Sequence, residues 1–375
     1  MVKLRLCYVG PARAIPLQRW AGWFAARGHE VTVVTVEPDE NVSAPVIHQL
    51  DVGLSRWLGK PGRALSLLRM ARVVRRLKPD LVHMQYLRGL AWGAPLVRGV
   101  PCVATPWGSD VLEEQGAFRE IYSRSLTRAV LDRADVVTVH SAYLDQRLRP
   151  LMPPGKAPIR IGWGVDLKRF RPGLDARPVR EQWGIGEGRR VIFSPRLAQP
   201  FYRHEQAIRA MPTVKEKVPD ALLVVAGHSA DDGYVASLRR LASELGVTEH
   251  VRFTGPLAYG DMPRWMNLAE VVVMVPPSDG MPSTLLEAMA CGAIPVLSRL
   301  AQYAELIEQG TNGFFVDPEG RELAEALLAA LSDRQARDEM ARRNRARVAE
   351  AADQDREMER MERQYRQLAV RGARR

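Results

Sequence analysis

Long apolar runs are missing from this chain of 375 residues: nowhere do roughly 20 uncharged apolar residues stand in a row, so a membrane-spanning helix is not expected. Cysteine is scarce. Cys7, Cys102 and Cys291 are far apart, odd in number and set in apolar surroundings, which argues against a disulfide framework or a metal centre and for structural thiols in a reducing cytoplasm. Acidic charge is in deficit, with Asp plus Glu at 43 against Lys plus Arg at 54, a net charge of +11. Such a surplus attracts polyanions (nucleic acid, anionic lipid, diphosphates), and it equally describes a solvated, arginine-rich surface. No helix-turn-helix, finger or RNA-motif pattern accompanies it, and the basic residues are dispersed, so no nucleic-acid partner is expected. The glycine fingerprint of dinucleotide-dependent dehydrogenases is also absent, because Gly10-Pro11-Ala12-Arg13 follows the first strand. The first residues read as a buried strand, and no signal peptide is expected in them: their short apolar run alternates with charge and ends at Gly10 without a small-residue cleavage site.

What is present is ordinary globular composition, 46% hydrophobic and 26% charged. The length exceeds the roughly 250–300 residues at which one core stops growing, which predicts two domains. Strand and helix patterns alternate. A strand over Lys3–Val9 leads to a helix over Pro16–Arg27 with Leu17, Trp20, Trp23 and Phe24 on one face, closed by Gly28, and then to a strand over Val31–Val36. A basic amphipathic helix over Arg63–Leu77, strands at Leu81–Met84 and Val100–Thr105, a helix through Ile121–Leu131 and a strand at Val136–His140 follow. The Pro-, Gly- and Arg-rich stretch Leu151–Arg180 reads as a connection. A second series has strands at Val191–Ser194, Leu222–Ala226, Val251–Thr254, Val271–Val275 and Ile294–Leu297. This rhythm predicts doubly wound parallel sheets. From Asp333 the chain is charged and helical, and Met358, Met361, Tyr365 and Leu368 form one apolar face that should dock on the body, with Arg371–Arg375 frayed.

The stretch Pro276–Gly292 concentrates chemistry. A loop with prolines and Gly280 follows the strand Val271–Val275 and runs into a helix, so it lies at the carboxyl end of a parallel strand, where open α/β sheets bind ligands. Backbone N–H groups at Ser283–Leu286 suit a phosphate, and Asp279 and Glu287 suit ribose or sugar hydroxyls. A purely local reading competes: Thr284-x-x-Glu287 is a capping box and Asp279-Gly280 a turn pair.

The run from Ser278 through Ala288-Met289-Ala290-Cys291-Gly292 to Pro295-Val296 resembles the signature of glycosyltransferase family 4, the glycosyl transferases group 1 family, with two acidic residues separated by seven others. That family usually has Glu first, so Asp279 is a shortened variant. Ser194-Pro195-Arg196-Leu197, Val225-Ala226-Gly227-His228, Val251–Gly255, Gly310-Thr311-Asn312-Gly313, Gly28-His29-Glu30-Val31, Trp107-Gly108-Ser109-Asp110 and Gly164-Val165-Asp166 with Phe170 are similar to further family segments, covering nearly the whole chain. The resemblance implies an α/β, GT-B fold of two Rossmann-like doubly wound domains facing across a cleft. It divides the chain into an acceptor-binding domain over 1–165, a donor-binding domain over 166–352 and a terminal helix over 353–375 that packs back on the first. It implies a retaining, metal-independent transfer from a nucleotide-diphosphate sugar of UDP or GDP type, with no cofactor. Asp279, Glu287 and Arg196 would form the catalytic group, Asp279 contacting the donor sugar, Glu287 the ribose and Arg196 the diphosphate. Arg203, Gly227, Gly255, Gly280, Met281, Pro282, Ser283, Thr284 and Leu285 would complete the donor site, and Gly10, Trp107 and Asp110 would line the acceptor side.

Several departures qualify the pattern. Where the family has Lys-Gly the chain has Phe201-Tyr202-Arg203, and Arg203 is either the substitute lysine or a solvated arginine at a helix start. Only Gly10 remains of a common Gly-Gly pair, and Trp107 stands where many relatives have His. Asp110 either orients the acceptor or caps the next helix. The only Asp-x-Asp, Asp353-Gln354-Asp355, falls in the terminal helix, away from any expected metal. These departures keep open a second function, a partner subunit that binds a nucleotide sugar without transferring it; an epimerase on the same fold ranks lower. Saccharide or lipid-linked acceptors are the expected partners. The basic helix from Arg63, with Trp57 and Leu58 before it, adds an anionic membrane surface, so the expected location is cytoplasmic, with a seat on the inner face of the membrane. A helix with one solvated basic face is the plainer reading of the same residues.

Overall fold

The computed structural model describes residues 2–38, 47–53, 55–112, 117–226, 232–317, 319–320 and 322–372; the side chains of 47–48, 55–60, 112 and 117–121 are not among those described. Two compact units emerge: Met1–Trp163 with Asp355–Arg375, and Gly164–Gln354.

The first unit runs β1 (Arg5–Val9), α1 (Ile15–Ala26), β2 (Glu30–Thr35), β3 (Ile47–Asp51), α2 (Ser55–Leu77), β4 (Leu81–Gln85), β5 (Cys102–Thr105), α3 (Ser109–Leu112), α4 (Ala117–Arg133), β6 (Val136–Val139), α5 (Ala142–Leu148) and β7 (Ile159–Arg160). Its strands are parallel, in the order β3-β2-β1-β4-β5-β6-β7. Every residue of β4 is buried, because helices cover both faces of the sheet. Side chains of β1 alternate between those faces: Leu6 and Tyr8 join α1, while Cys7 and Val9 join the layer holding Met70, Ala71 and Val74 of α2.

The second unit runs α6 (Arg177–Trp183), β8 (Arg190–Ser194), α7 (His204–Lys217), β9 (Ala221–Ala226), α8 (Asp232–Glu244), β10 (Val251–Gly255), α9 (Met262–Leu268), β11 (Ala269–Met274), α10 (Ser283–Cys291), β12 (Ile294–Ser298), β13 (Phe314–Val316), α11 (Leu323–Ala330) and α12 (Arg334–Ala351). Its strand order, β10-β9-β8-β11-β12-β13, repeats the doubly wound arrangement. Val191 and Phe193 point into one core layer and Ile192 into the other.

The last helix, α13 (Gln354–Gly372), buries Met358, Met361, Tyr365 and Leu368 against α1 and β1 of the first unit. Polar contacts fix its register. The Trp23 indole donates to Asp355 across 2.8 Å, and Glu357 accepts from the Gly162 N–H at 2.8 Å. The Tyr365 hydroxyl lies 2.5 Å from His83 Nδ1.

Four readings of the sequence need correction. Strand β3 was not expected, and it adds a strand at the sheet edge. The basic helix starts at Ser55, with Pro61 inside it, rather than at Arg63. The stretch Leu151–Arg180 is not wholly a connection, since β7 within it pairs with β6. Asp353-Gln354-Asp355 straddles the break between α12 and α13: Asp353 bridges to Val165 in the second unit, and Asp355 takes the Trp23 indole in the first.

Candidate functional site

In the second unit the strand order reverses between β8 and β11, and ligands of open α/β sheets bind outside the carboxyl ends of strands at such a point. The loop after β8 brings Arg196; the loop after β11 brings Asp279 and leads into α10. Their side chains meet, Arg196 Nη2 lying 3.2 Å from Asp279 Oδ2. Arg196 Nη1 donates to the Thr284 hydroxyl (3.3 Å) and Nη2 to the Tyr202 hydroxyl (3.1 Å), with the guanidinium carbon 4.5 Å from the centre of the Tyr202 ring. Burial works against the charge on Arg196, but Asp279 and the Tyr202 and Tyr303 hydroxyls outweigh it and raise its pKa.

The loop after β8 is pinned from below. His204, the first residue of α7, shares a hydrogen bond of 2.9 Å with Ser194 and donates from Nε2 to the Leu197 carbonyl at 2.8 Å. Burial lowers its pKa, which keeps the ring neutral for both contacts. Arg203 sits at the N-cap of α7 with a left-handed backbone (φ 51°), and Tyr202 is the residue of this segment that touches Arg196.

The capping box of the competing local reading does not form at the start of α10. Pro282 is the N-cap, and no side chain caps the helix, because the Thr284 hydroxyl already accepts from Arg196 and Glu287 is turned inward. The first-turn N–H groups of a helix have no acceptor within the helix, so this N-terminus is suited to an anion. Leu285 N–H closes onto Pro282 O, Met281 packs in the core, and Gly280 donates its N–H to Asp279 Oδ1 at 2.8 Å. Glu287 is 2% exposed and accepts from the Tyr259 hydroxyl at 2.9 Å. Gly255 ends β10 with φ at 67°, a conformation that favours glycine. Gly227 and His228 lie outside the described residues.

In the first unit the strand order reverses between β1 and β4. Gly10 follows β1, and a Cβ there would fall 2.7 Å from the Gln85 carbonyl oxygen, so the two loops touch as backbone. Gln85 Oε1 accepts the Trp107 indole N–H at 2.8 Å, and His140 Nε2 donates to the Trp107 carbonyl at 3.2 Å. Asp110, expected to orient the acceptor or to cap a helix, staples two loops: it accepts N–H groups from Leu87 (2.6 Å), Trp107 (2.9 Å) and Gly108 (2.9 Å). Burial raises its pKa, and those N–H donors pull it back. Beneath them His83 contacts Thr105 (2.6 Å), and burial lowers its pKa to about 3.

Along α2, Arg63, Arg69, Arg72, Arg75 and Arg76 are exposed beside Leu65 and Leu68. The side chains of Trp57 and Leu58 lie outside those described. Among the described residues no helix is long and apolar enough to cross a membrane, and no group of three His, Cys, Asp or Glu side chains stands close enough to hold a metal ion.

Sequence reasoning missed Tyr202, Tyr259 and Tyr303, since nothing in their spacing links them to Arg196, Glu287 or Asp279. Tyr202 alone carried a signal, as an aromatic beside the arginine that was considered for the lysine position.

Residues 175–347 match the family model for glycosyl transferases group 1, and residues 5–141 match that for glycosyl transferase 4-like domains. The chain is 33% identical over 276 residues to a GDP-mannose-dependent alpha-(1-6)-phosphatidylinositol monomannoside mannosyltransferase of Mycolicibacterium smegmatis, spanning 71% of this chain and 69% of that one. It is 28% identical over 250 residues to a D-inositol 3-phosphate glycosyltransferase of Mycobacterium bovis, spanning 63% of this chain and half the length of that relative (50%). Among solved structures, sucrose-phosphate synthase from Thermosynechococcus elongatus superposes with a TM-score of 0.83 over 98% of this chain and 100% of that one, at 20% identity. At that identity the likeness speaks for the fold alone, which is GT-B.

Proposed function

Because the chain belongs to the glycosyl transferases group 1 family, and is a glycosyltransferase that uses a nucleotide sugar, we propose that it moves a hexose from a GDP-linked donor to a hydroxylated acceptor, with retention of configuration and without a metal ion. The observation that carries this reading is the meeting of Arg196, Asp279 and the uncapped N-terminus of α10 at the switch point between β8 and β11. The donor diphosphate lies there, its charge facing the Arg196 guanidinium and the first N–H groups of α10. Glu287, one turn along, accepts the ribose hydroxyls. The end of β10 at Gly255 leaves the backbone open beside the base.

The chemistry follows from where charge develops. As the bond between the anomeric carbon and the phosphate oxygen breaks, negative charge gathers on the leaving diphosphate, and fixed donors stabilise it there. The acceptor hydroxyl bonds to the same face of that carbon and gives its proton to the departing phosphate oxygen. Arg196 and the helix supply the counter-charge that a metal would otherwise bring. The likeness to the Mycolicibacterium relative favours GDP-mannose as donor and an inositol-containing or lipid-linked acceptor, taken up beside Gly10, Trp107 and Asp110. The exposed arginines of α2 with Leu65 and Leu68 suit an anionic membrane on the cytoplasmic side.

The test is release of nucleoside diphosphate from GDP-mannose, UDP-glucose and ADP-glucose by the purified protein, with Glu287→Ala alongside. Release from GDP-mannose that the variant loses supports the reading. Release from UDP-glucose alone replaces the base, and no release from any donor, with or without inositol-containing acceptors, overturns it.

A further inference from the structure

Asp279 has little left to offer a sugar. A carboxylate accepts about four hydrogen bonds. Oδ1 accepts the Gly280 N–H at 2.8 Å and Arg196 Nη2 at 3.4 Å; Oδ2 accepts the Tyr303 hydroxyl at 2.9 Å, and the same Arg196 Nη2 stands 3.2 Å from it as an ion pair, so three donors occupy the carboxylate. Its side chain is 12% exposed, and its carbonyl oxygen is held by Gln302 Nε2 at 2.5 Å. A glutamate at this position would carry its carboxylate one methylene beyond this cage, whereas the aspartate stays inside it. Tyr303 is wholly buried, and burial followed by the nearby Asp279 charge raises its pKa well above the usual value, so its hydroxyl remains a donor.

Arg196 shows the other half of the arrangement. Nη2 is committed to Asp279 and Tyr202, and one Nη1 hydrogen to Thr284. A guanidinium has five N–H groups. The Nε–H and the second Nη1–H have no protein acceptor among the described residues and remain for a ligand. The Tyr202 ring lies 4.5 Å from the guanidinium carbon and limits its movement.

We propose that Asp279 acts through Arg196 rather than on the donor sugar, and that Tyr303 and Tyr202 are positioning residues which hold this pair so that Arg196 presents its free N–H groups to the β-phosphate of the donor. This rests on the donor site described above. It moves the task of reading the sugar away from the first acidic residue of the motif. Tyr303 fixes the carboxylate, the carboxylate fixes one edge of the guanidinium, and Tyr202 fixes its plane.

The experiment is calorimetric titration of the full chain with GDP and GMP, and with UDP and UMP as a second pair, for wild type, Tyr303→Phe, Tyr202→Phe and Asp279→Asn. Only the diphosphates carry the β-phosphate that Arg196 would hold. Tyr303→Phe keeps the ring volume and removes one hydroxyl, and a melting curve verifies its fold; Tyr202→Phe lies nearer the surface and serves if the first variant misfolds. The expected result is a roughly tenfold loss of diphosphate affinity in Tyr303→Phe and about threefold in Tyr202→Phe, with monophosphate affinity unchanged. An unchanged diphosphate-to-monophosphate ratio in both tyrosine variants overturns the proposal. So does tighter diphosphate binding by Asp279→Asn, which would make the aspartate a competitor for Arg196. Wild type binding none of the four nucleotides would instead bring down the donor site itself, and the proposal with it.

Discussion

The Tyr259 hydroxyl donates to Glu287 Oε1 across 2.9 Å, joining the turn before α9 to the first acidic turn of α10. The same tyrosine lies under the Arg169 guanidinium, whose carbon is 4.4 Å from the ring centre, while Arg169 Nη2 donates to the Tyr259 carbonyl at 2.7 Å. The buried carboxylate for which we propose the ribose role is thus aimed by a tyrosine that is itself clamped.

Removing either end of this contact should weaken donor binding. Glu287→Gln keeps the shape and loses the charge; Tyr259→Phe leaves a buried oxygen one donor short, at a cost of about 1–3 kcal/mol. The expected outcome is a donor KM raised roughly tenfold in both, measured by steady-state release of nucleoside diphosphate. Unchanged KM values would detach Glu287 from the donor.

At Gly10 the limit is steric. A Cβ would lie 2.7 Å from the Gln85 carbonyl oxygen and 3.0 Å from Leu17 Cδ1, and a backbone oxygen cannot swing aside as a flexible side chain can. Gly10→Ala should cost on the order of 1–3 kcal/mol of stability in the first unit. It should also reduce transfer to acceptor more than acceptor-free donor hydrolysis. Calorimetry and the two rates measured side by side test this.

Acid should loosen the first unit. Burial lowers the pKa of His83 from 6.5 to about 3 and that of His140 to about 4. The unfolded chain therefore binds these protons below pH 6.5 while the folded chain does not. Stability is then full above about pH 6.5 and falls as pH drops through the window down to about 3–4. The slope is about 1.4 kcal/mol per pH unit for each histidine. His83→Gln should flatten the fall in melting temperature between pH 7 and pH 5. An equal slope in wild type and variant would mean that His83 takes no part.

Charge reversal at Arg69, Arg72 and Arg76 to Glu should abolish co-sedimentation with vesicles rich in phosphatidylglycerol, and wild type should ignore pure phosphatidylcholine. Donor hydrolysis in solution should survive the change. Wild type that fails to sediment with anionic vesicles removes the membrane from the proposed function.

The parts of the candidate site legible in the sequence were those written as a contiguous pattern. Asp279, Glu287 and the helix beginning at Ser283 stand in one run behind an apolar strand, and Arg196 stands just past another strand. Such positions follow from the order of elements along the chain, since a loop after a parallel strand must lie at its carboxyl end. The local reading of Thr284 and Glu287 as a capping box failed because a capping box looks the same in sequence whether or not a distant arginine claims the hydroxyl.

Periodicity of apolar residues and the spacing of glycine and proline determined, from sequence alone, two doubly wound units, the placement of the acidic loop and the burial of one face of the terminal helix. These are effects of nearest neighbours and of which face must leave water. Tertiary structure alone decided that Tyr303 and Gly280 join Arg196 in occupying Asp279, that Tyr202 meets Arg196, and that Asp110 staples two loops. The Tyr303–Asp279, Arg196–Asp279 and Leu87–Asp110 contacts join loops that follow different strands, the others are shorter in range, and in every case a hydrogen bond forms or fails over a few tenths of an ångström. Local pattern carries no information at that scale.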